Sequence, residues 1–135
     1  WVAFTPWTTL DDYLDMLAFV EANGLIDQID PVQFSIRLLI PPGSLLAEHP
    51  ETLRHRGELD EAAFTFRWTH PDPRMDALHK DVSKLVAKDA ESEADTAETF
   101  YRIWELAQGR QPKSMVCPLP PDRKRTPRLT ESWFC

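Results

Sequence analysis

Arg37 is the side chain whose type and setting most invite chemistry. It stands among Phe34, Ile36, Leu38 and Ile40, and a guanidinium in apolar company is costly to bury unless its fork holds an anion. A substrate or cofactor carboxylate or phosphate would serve. A helix carboxylate in a salt bridge would serve as well, and an outward-facing position would need neither. Gln33 and Ser35 alternate with Arg37 and on a strand would share its side of the pleat, as a ligand-binding row or as solvated polarity. Thr5 joins these candidates because it ends the first extended run, and parallel α/β folds bind ligands at the carboxyl ends of their strands. Cys117 and Cys135 are the two thiols of the chain. Both lie among basic residues, where positive charge favours thiolate and hence redox or metal chemistry, beside the plainer reading of incidental thiols.

Other chemistries find no pattern. His49, His55, His70 and His79 show neither HxH nor HExxH spacing, so no zinc site is expected. Asp72 and Asp76 read as a helix cap and a solvated helix residue rather than a catalytic carboxylate pair. With four glycines the chain has no GxGxxG, phosphate-binding loop, GxSxG or kinase-type catalytic loop. The net charge of −7 disfavours nonspecific nucleic-acid binding. No apolar run reaches the eighteen or so residues of a membrane helix and no signal peptide opens the chain, so a cytoplasmic protein without membrane contact is expected.

The elements that must position these residues follow from pattern. Residues 2–5 read as a short strand closed by Pro6. Thr8 or Thr9 then caps a helix whose apolar positions Leu10, Tyr13, Leu14 and Leu17 follow helical spacing, and Asn23-Gly24 ends it. The aliphatic stretch from Val32 to Ile40, closed by Pro41-Pro42-Gly43-Ser44, predicts a second strand. Strand, helix, strand is one βαβ unit, which needs further strands to be stable. A polar link follows, then Phe64 to Trp68 as a short strand or extended arm. Asp72-Pro73 opens a helix with Met75, Leu78, Val82, Leu85 and Val86 as its apolar stripe, and Asp95 caps a last helix ending near Gly109. From residue 110 onward six basic residues face only Asp122 and Glu131, a net charge of +4 that leaves −11 on the rest of the chain. Five of the twelve prolines lie there too, so this tail should be extended unless it docks on something.

Four runs carry a family resemblance. Ala3 to Tyr13 (AFTPWTTLDDY), Asp30 to Ser44 (DPVQFSIRLLIPPGS), His70 to Arg74 (HPDPR) and Pro127 to Cys135 (PRLTESWFC) resemble the carboxyl-terminal part of the radical SAM proteins named for a CUAEP or CCAEP tail. The resemblance implies a parent enzyme with a partial (β/α) barrel that binds S-adenosylmethionine and a [4Fe-4S] cluster on a CxxxCxxC loop, with a cobalamin-binding-like domain at the family's amino terminus. It implies further that this chain lacks the cluster loop and is inactive alone, with the missing amino-terminal part as its partner and a small-molecule or peptide substrate of unknown identity. Cys135 would then be the first residue of a Cys-Sec or Cys-Cys pair, and a selenocysteine codon read as a stop would end the chain there.

The expected fold class is accordingly α/β. Residues 1–47 are the last strands and helix of a radical SAM-type barrel, 48–109 a helical extension, and 110–135 a basic, proline-rich tail. Two readings from other classes stand beside this one. The first is a small acidic protein-interaction module with Trp104 and Trp133 as anchors. The second is a thiol or metal carrier built on Cys117 and Cys135.

Overall fold

Thr9 starts the first helix through a reciprocal box, its hydroxyl accepting from the Asp12 N–H while the Asp12 carboxylate accepts from the Thr9 N–H. The helix, α1 (Leu10–Ala22), buries Tyr13, Leu17 and Val20. It ends at Asn23, with Gly24 at φ +64° supplying the left-handed turn. A computed structural model of the chain describes residues 2–112, 118–120 and 122–123. Among these residues the order continues through 3₁₀ turns at Ile26–Gln28 and Pro31–Ser35, a one-turn α2 (Pro50–Leu53), strands β1 (Arg56–Asp60) and β2 (Thr65–Trp68), then α3 (Pro73–Glu91) and α4 (Thr96–Ala107). The architecture is mixed α/β, with one two-stranded antiparallel sheet.

The expected strand over 32–40 does not form. Asp30 accepts from the Val32 N–H and Pro31 holds the first helical position, so Pro31–Ser35 winds as a 3₁₀ helix in spite of its β-branched and aromatic residues. Only Ile36 to Ile40 runs extended beyond it, and it meets residues 2–5 in one parallel bridge between Phe4 and Arg37. The βαβ order is therefore present as a single bridge. On its other side the same segment meets the hairpin, where the Ile40 carbonyl accepts from the Phe66 N–H and the Ile40 N–H donates to Thr65 Oγ1.

β1 lies in what the sequence presents as a polar link. Its residues are exposed or half-buried, so no alternation of hydrophobicity marks it. It is held by β2, in a register that pairs Arg56 with Trp68 and Leu59 with Phe66, with a bulge between. Gly57 suits that bulge, because a Cβ there would sit 3.3 Å from the Arg67 carbonyl oxygen and the strand would have to give by a few tenths of an ångström.

Two apolar clusters result. The main one joins Phe4, Tyr13, Leu17, Phe34, Met75, Val82, Phe100 and Ile103, so residues 3–34 and the helix pair share one core. A smaller one holds Ile40, Ala47 and Trp68 under the hairpin, with Leu38, Leu46 and Phe66 packed on it. Tyr13 fastens α1 to the 3₁₀ helix, its fully buried hydroxyl donating to the Phe34 carbonyl at 2.8 Å, and burial pushes that phenol far above its ordinary value.

Tyr13→Phe should leave helix content by circular dichroism unchanged and cost about 1–2 kcal/mol in urea unfolding at pH 7, since a buried carbonyl loses its donor. Because the folded phenol stays protonated above the unfolded value of about 10, wild-type stability should fall as pH rises past that point. The variant should lose that component of the slope.

Candidate functional site

Arg37 lies on the seam between the two clusters. One Nη donates to Asp76 Oδ1 at 2.7 Å, the other donates to the Trp68 carbonyl at 2.7 Å, and the guanidinium carbon stands 3.6 Å over the Trp68 ring. The Trp68 indole N–H in turn donates to the Leu38 carbonyl at 2.8 Å. The anion that the sequence demands for Arg37 is thus a helix carboxylate on α3. Asp76, which the sequence presents as a solvated helix residue, is only 25% exposed in its side chain, and its second oxygen accepts from the His70 N–H at 3.0 Å. Burial pushes the Asp76 carboxyl up, but the hydrogen bonds from Arg37 and His70 and the Arg37 charge outweigh it and hold the group below the ordinary carboxylate range.

Two histidines flank this pair. His70 Nδ1 accepts from the Asp72 N–H at 2.9 Å, which in the neutral ring leaves the proton on Nε2, facing the Thr8 carbonyl at 3.0 Å. His79 packs edge-on against Phe4 with centroids 5.0 Å apart. Its burial first, and the Arg37 charge second, hold its pKa below the ordinary value.

The other sequence candidates are placed elsewhere. Ser35 Oγ donates to the Val32 carbonyl within the 3₁₀ helix, and Gln33 lies in the same turn, so the polar row expected on a strand face with Arg37 is replaced by a helical turn. Thr5 Oγ1 accepts from the Trp7 and Thr8 N–H groups and pairs with Thr8 Oγ1 at 2.8 Å, which makes it a turn former. Cys117 and Cys135 lie outside the described residues.

Three further ion pairs, two of them sharing Arg123, were not signalled by spacing. Asp89, 3% exposed, accepts from Thr99 Oγ1 at 3.0 Å and takes both oxygens to Arg102 Nη1 at 2.7 and 2.8 Å, joining α3 to α4. Arg123 donates from Nε to Asp27 and from Nη2 to Asp95, each at 2.6 Å. The tail therefore docks on the body at that point, with Leu119 packed on the main cluster.

The residues present do not fit an iron–sulfur cluster. A CxxxCxxC loop supplies three thiolates and the whole chain has two cysteines, while no group of three histidine, cysteine or carboxylate side chains converges among the described residues. The Arg37 fork, the best candidate for an anionic cofactor, already holds a carboxylate and a carbonyl. No described helix is long and apolar enough to cross a membrane. No family model, no curated protein and no solved structure matches this chain.

Asp76→Asn should destabilise the chain by about 1–2 kcal/mol at pH 7, because a guanidinium that is 24% exposed loses its counter-charge. The folded pKa of Asp76 is depressed, so its contribution is complete above the unfolded value of about 4 and is lost as pH falls through the folded value. Wild type and variant should converge there in urea unfolding. Equal stability at pH 7 would free Arg37 from its structural role.

Proposed function

We propose that this chain is the carboxyl-terminal part of a radical SAM enzyme of the CUAEP/CCAEP-tail kind, packed behind a barrel whose cluster loop lies upstream in the parent protein. The resemblance in wording is one support. The single structural observation that carries the reading is that three of its four runs meet at one place. Phe4 bridges to Arg37, Thr8 accepts from the His70 ring in its neutral Nε2–H form, and the Arg37–Asp76 pair sits one turn beyond Asp72-Pro73. Residues far apart in sequence are thus constrained jointly by one packed seam, which gives a physical reason for them to keep their wording together. In this reading the chain supplies no cluster ligand. It closes the barrel's last segment, while S-adenosylmethionine, the [4Fe-4S] cluster and any cobalamin are held by the amino-terminal part, in a cytoplasmic parent.

The experiment is anaerobic expression of the chain with its contiguous upstream coding region, reconstitution with iron and sulfide, and assay of S-adenosylmethionine under reductant. Release of 5'-deoxyadenosine by the extended protein, and none by residues 1–135 alone, is expected. In-frame upstream sequence without a CxxxCxxC loop, or an extended protein that releases none, would remove the reading.

The shared core favours a second reading, the acidic interaction module. A chain that closes its own main cluster from Phe4 to Ile103 has the means to unfold cooperatively by itself. It also exposes Leu39 (64%), Leu45 (95%) and Phe64 (65%), side chains of the kind that interfaces use. A single sharp urea transition of a monomeric chain would fit this module, and aggregation through open edges would fit a separated barrel piece.

A further inference from the structure

Asp27 and Asp95 place two carboxylates against one guanidinium in a spot that water barely reaches, with side-chain exposures of 11% and 19% against 11% for Arg123. The two acids come from different elements, Asp27 from the 3₁₀ turn Ile26–Gln28 and Asp95 from the cap of α4. Asp95 Oδ1 is fixed beforehand, since it accepts from the Ala97 N–H at 2.9 Å and the Glu98 N–H at 3.3 Å while it meets Arg123. Nε serves one acid and Nη2 the other, a division that a planar fork makes and a compact ammonium does not. Without this cation, the two acids would lose the counter-charge they share. Burial and the Arg123 hydrogen bond oppose each other at Asp95, and the hydrogen bonds together with the charge hold its carboxyl below the ordinary range.

We propose that Asp27 and Asp95 form a receptor for a guanidinium-bearing peptide, and that the segment ending in Arg123 occupies it as the chain's own tethered ligand. The ligand is two-pronged. Leu119, partly buried, packs against the main apolar cluster four residues before the arginine, so the recognised pattern is an apolar residue followed at the fourth position by arginine. Arg123 Nη1 also donates back to the Pro120 carbonyl at 3.3 Å, which steadies the fork in the seated segment. The contact spans 96 residues to Asp27 and 28 to Asp95, so it is a tertiary dock and not local capping. The −11 charge of residues 1–109 favours arrival of a cationic segment from outside whenever the site is vacated. This inference does not depend on the radical SAM reading.

The test uses the full chain and the peptide Pro-Leu-Pro-Pro-Asp-Arg, residues 118–123, with a citrulline version as the uncharged control. The tethered segment competes at an effective concentration of order millimolar. Wild type should therefore bind the free peptide about a hundredfold more weakly than Arg123→Ala does, as read by calorimetry. The citrulline peptide should not bind, and adding Asp27→Asn and Asp95→Asn to Arg123→Ala should abolish uptake; asparagine at 95 keeps the helix cap. Arg123→Lys keeps a positive charge between the two acids without the fork and should bind the peptide with intermediate affinity. In the wild-type chain the Arg123 Nε–H should exchange slowly with water by NMR. Folded Arg123→Ala or Arg123→Lys chains that take up no peptide, equal uptake by wild type, or a rapidly exchanging Nε–H in wild type would each overturn the proposal.

Discussion

Among the described residues, the Arg37 guanidinium ties the two apolar clusters together. Its backbone forms the bridge to Phe4, its fork reaches α3 through Asp76 and the hairpin through the Trp68 carbonyl, and its flat face covers the Trp68 ring. These contacts reach three separate parts of the fold, so the geometry closes only when all of them are in place. A lysine could supply the charge, but not two directed donors and a stacking plane at once. Trp68 is constrained equally, because its ring packs in the hairpin cluster while its indole N–H reaches back to the Leu38 carbonyl. The pair thus couples burial to polar satisfaction at the place where the two clusters meet.

Arginine on aspartate recurs as the joint of this fold. Asp89–Arg102 ties α3 to α4, Asp76–Arg37 ties α3 to the extended segment, and Arg123 ties the tail to Asp27 and Asp95. Such partly buried pairs add little net stability over an apolar contact of the same volume, since desolvation offsets most of the attraction. Their effect is directional. A guanidinium placed between elements accepts few arrangements, whereas aliphatic side chains such as Val82 and Leu85 tolerate small slips. In a chain with a two-stranded sheet and long helices, these joints set how α3 and α4 lie relative to the loops.

The sequence made the long helices and β2 legible and concealed β1 and the 3₁₀ turn at Pro31–Ser35, for identifiable reasons. Thr9, Asp72 and Asp95 cap the three long helices, and the apolar stripes of α1, α3 and α4 face the main cluster. The same logic was available at Asp30-Pro31, where a capping carboxylate and a proline open a helical turn just as Asp72-Pro73 does. The β-branched and alternating run behind it outweighed that signal on paper, and the cap prevailed in the fold. β1 escaped because an exposed strand carries no alternation, and because its only mark, Gly57, reports a close approach to Arg67 that exists in three dimensions alone. At the candidate site the need of Arg37 for an anion is readable, and a helix carboxylate is one partner that meets it. That the partner is Asp76 is not readable, since an aspartate in the first turn of a helix is explained equally well by the helix dipole.

The unequal size of the two clusters gives the molecule a graded stability. The main one is filled by fully buried aromatic and aliphatic side chains from α1, α3, α4 and the 3₁₀ turn, whereas the hairpin cluster has Ile40, Ala47 and Trp68 at its centre. Units with few buried apolar groups open at lower free energy than the whole. The hairpin is therefore the part that would separate first, were it free to do so. It is held by the Arg37 fork, the Trp68 indole and the two backbone-directed bonds at Ile40. Exposed Leu39, Leu45 and Phe64 lie in or beside this unit. This unit thus combines a small buried centre with exposed apolar side chains, while the larger core lies in the helical half. The seam at Arg37 is where the two meet, and α3 is joined to it there through the carboxylate of Asp76.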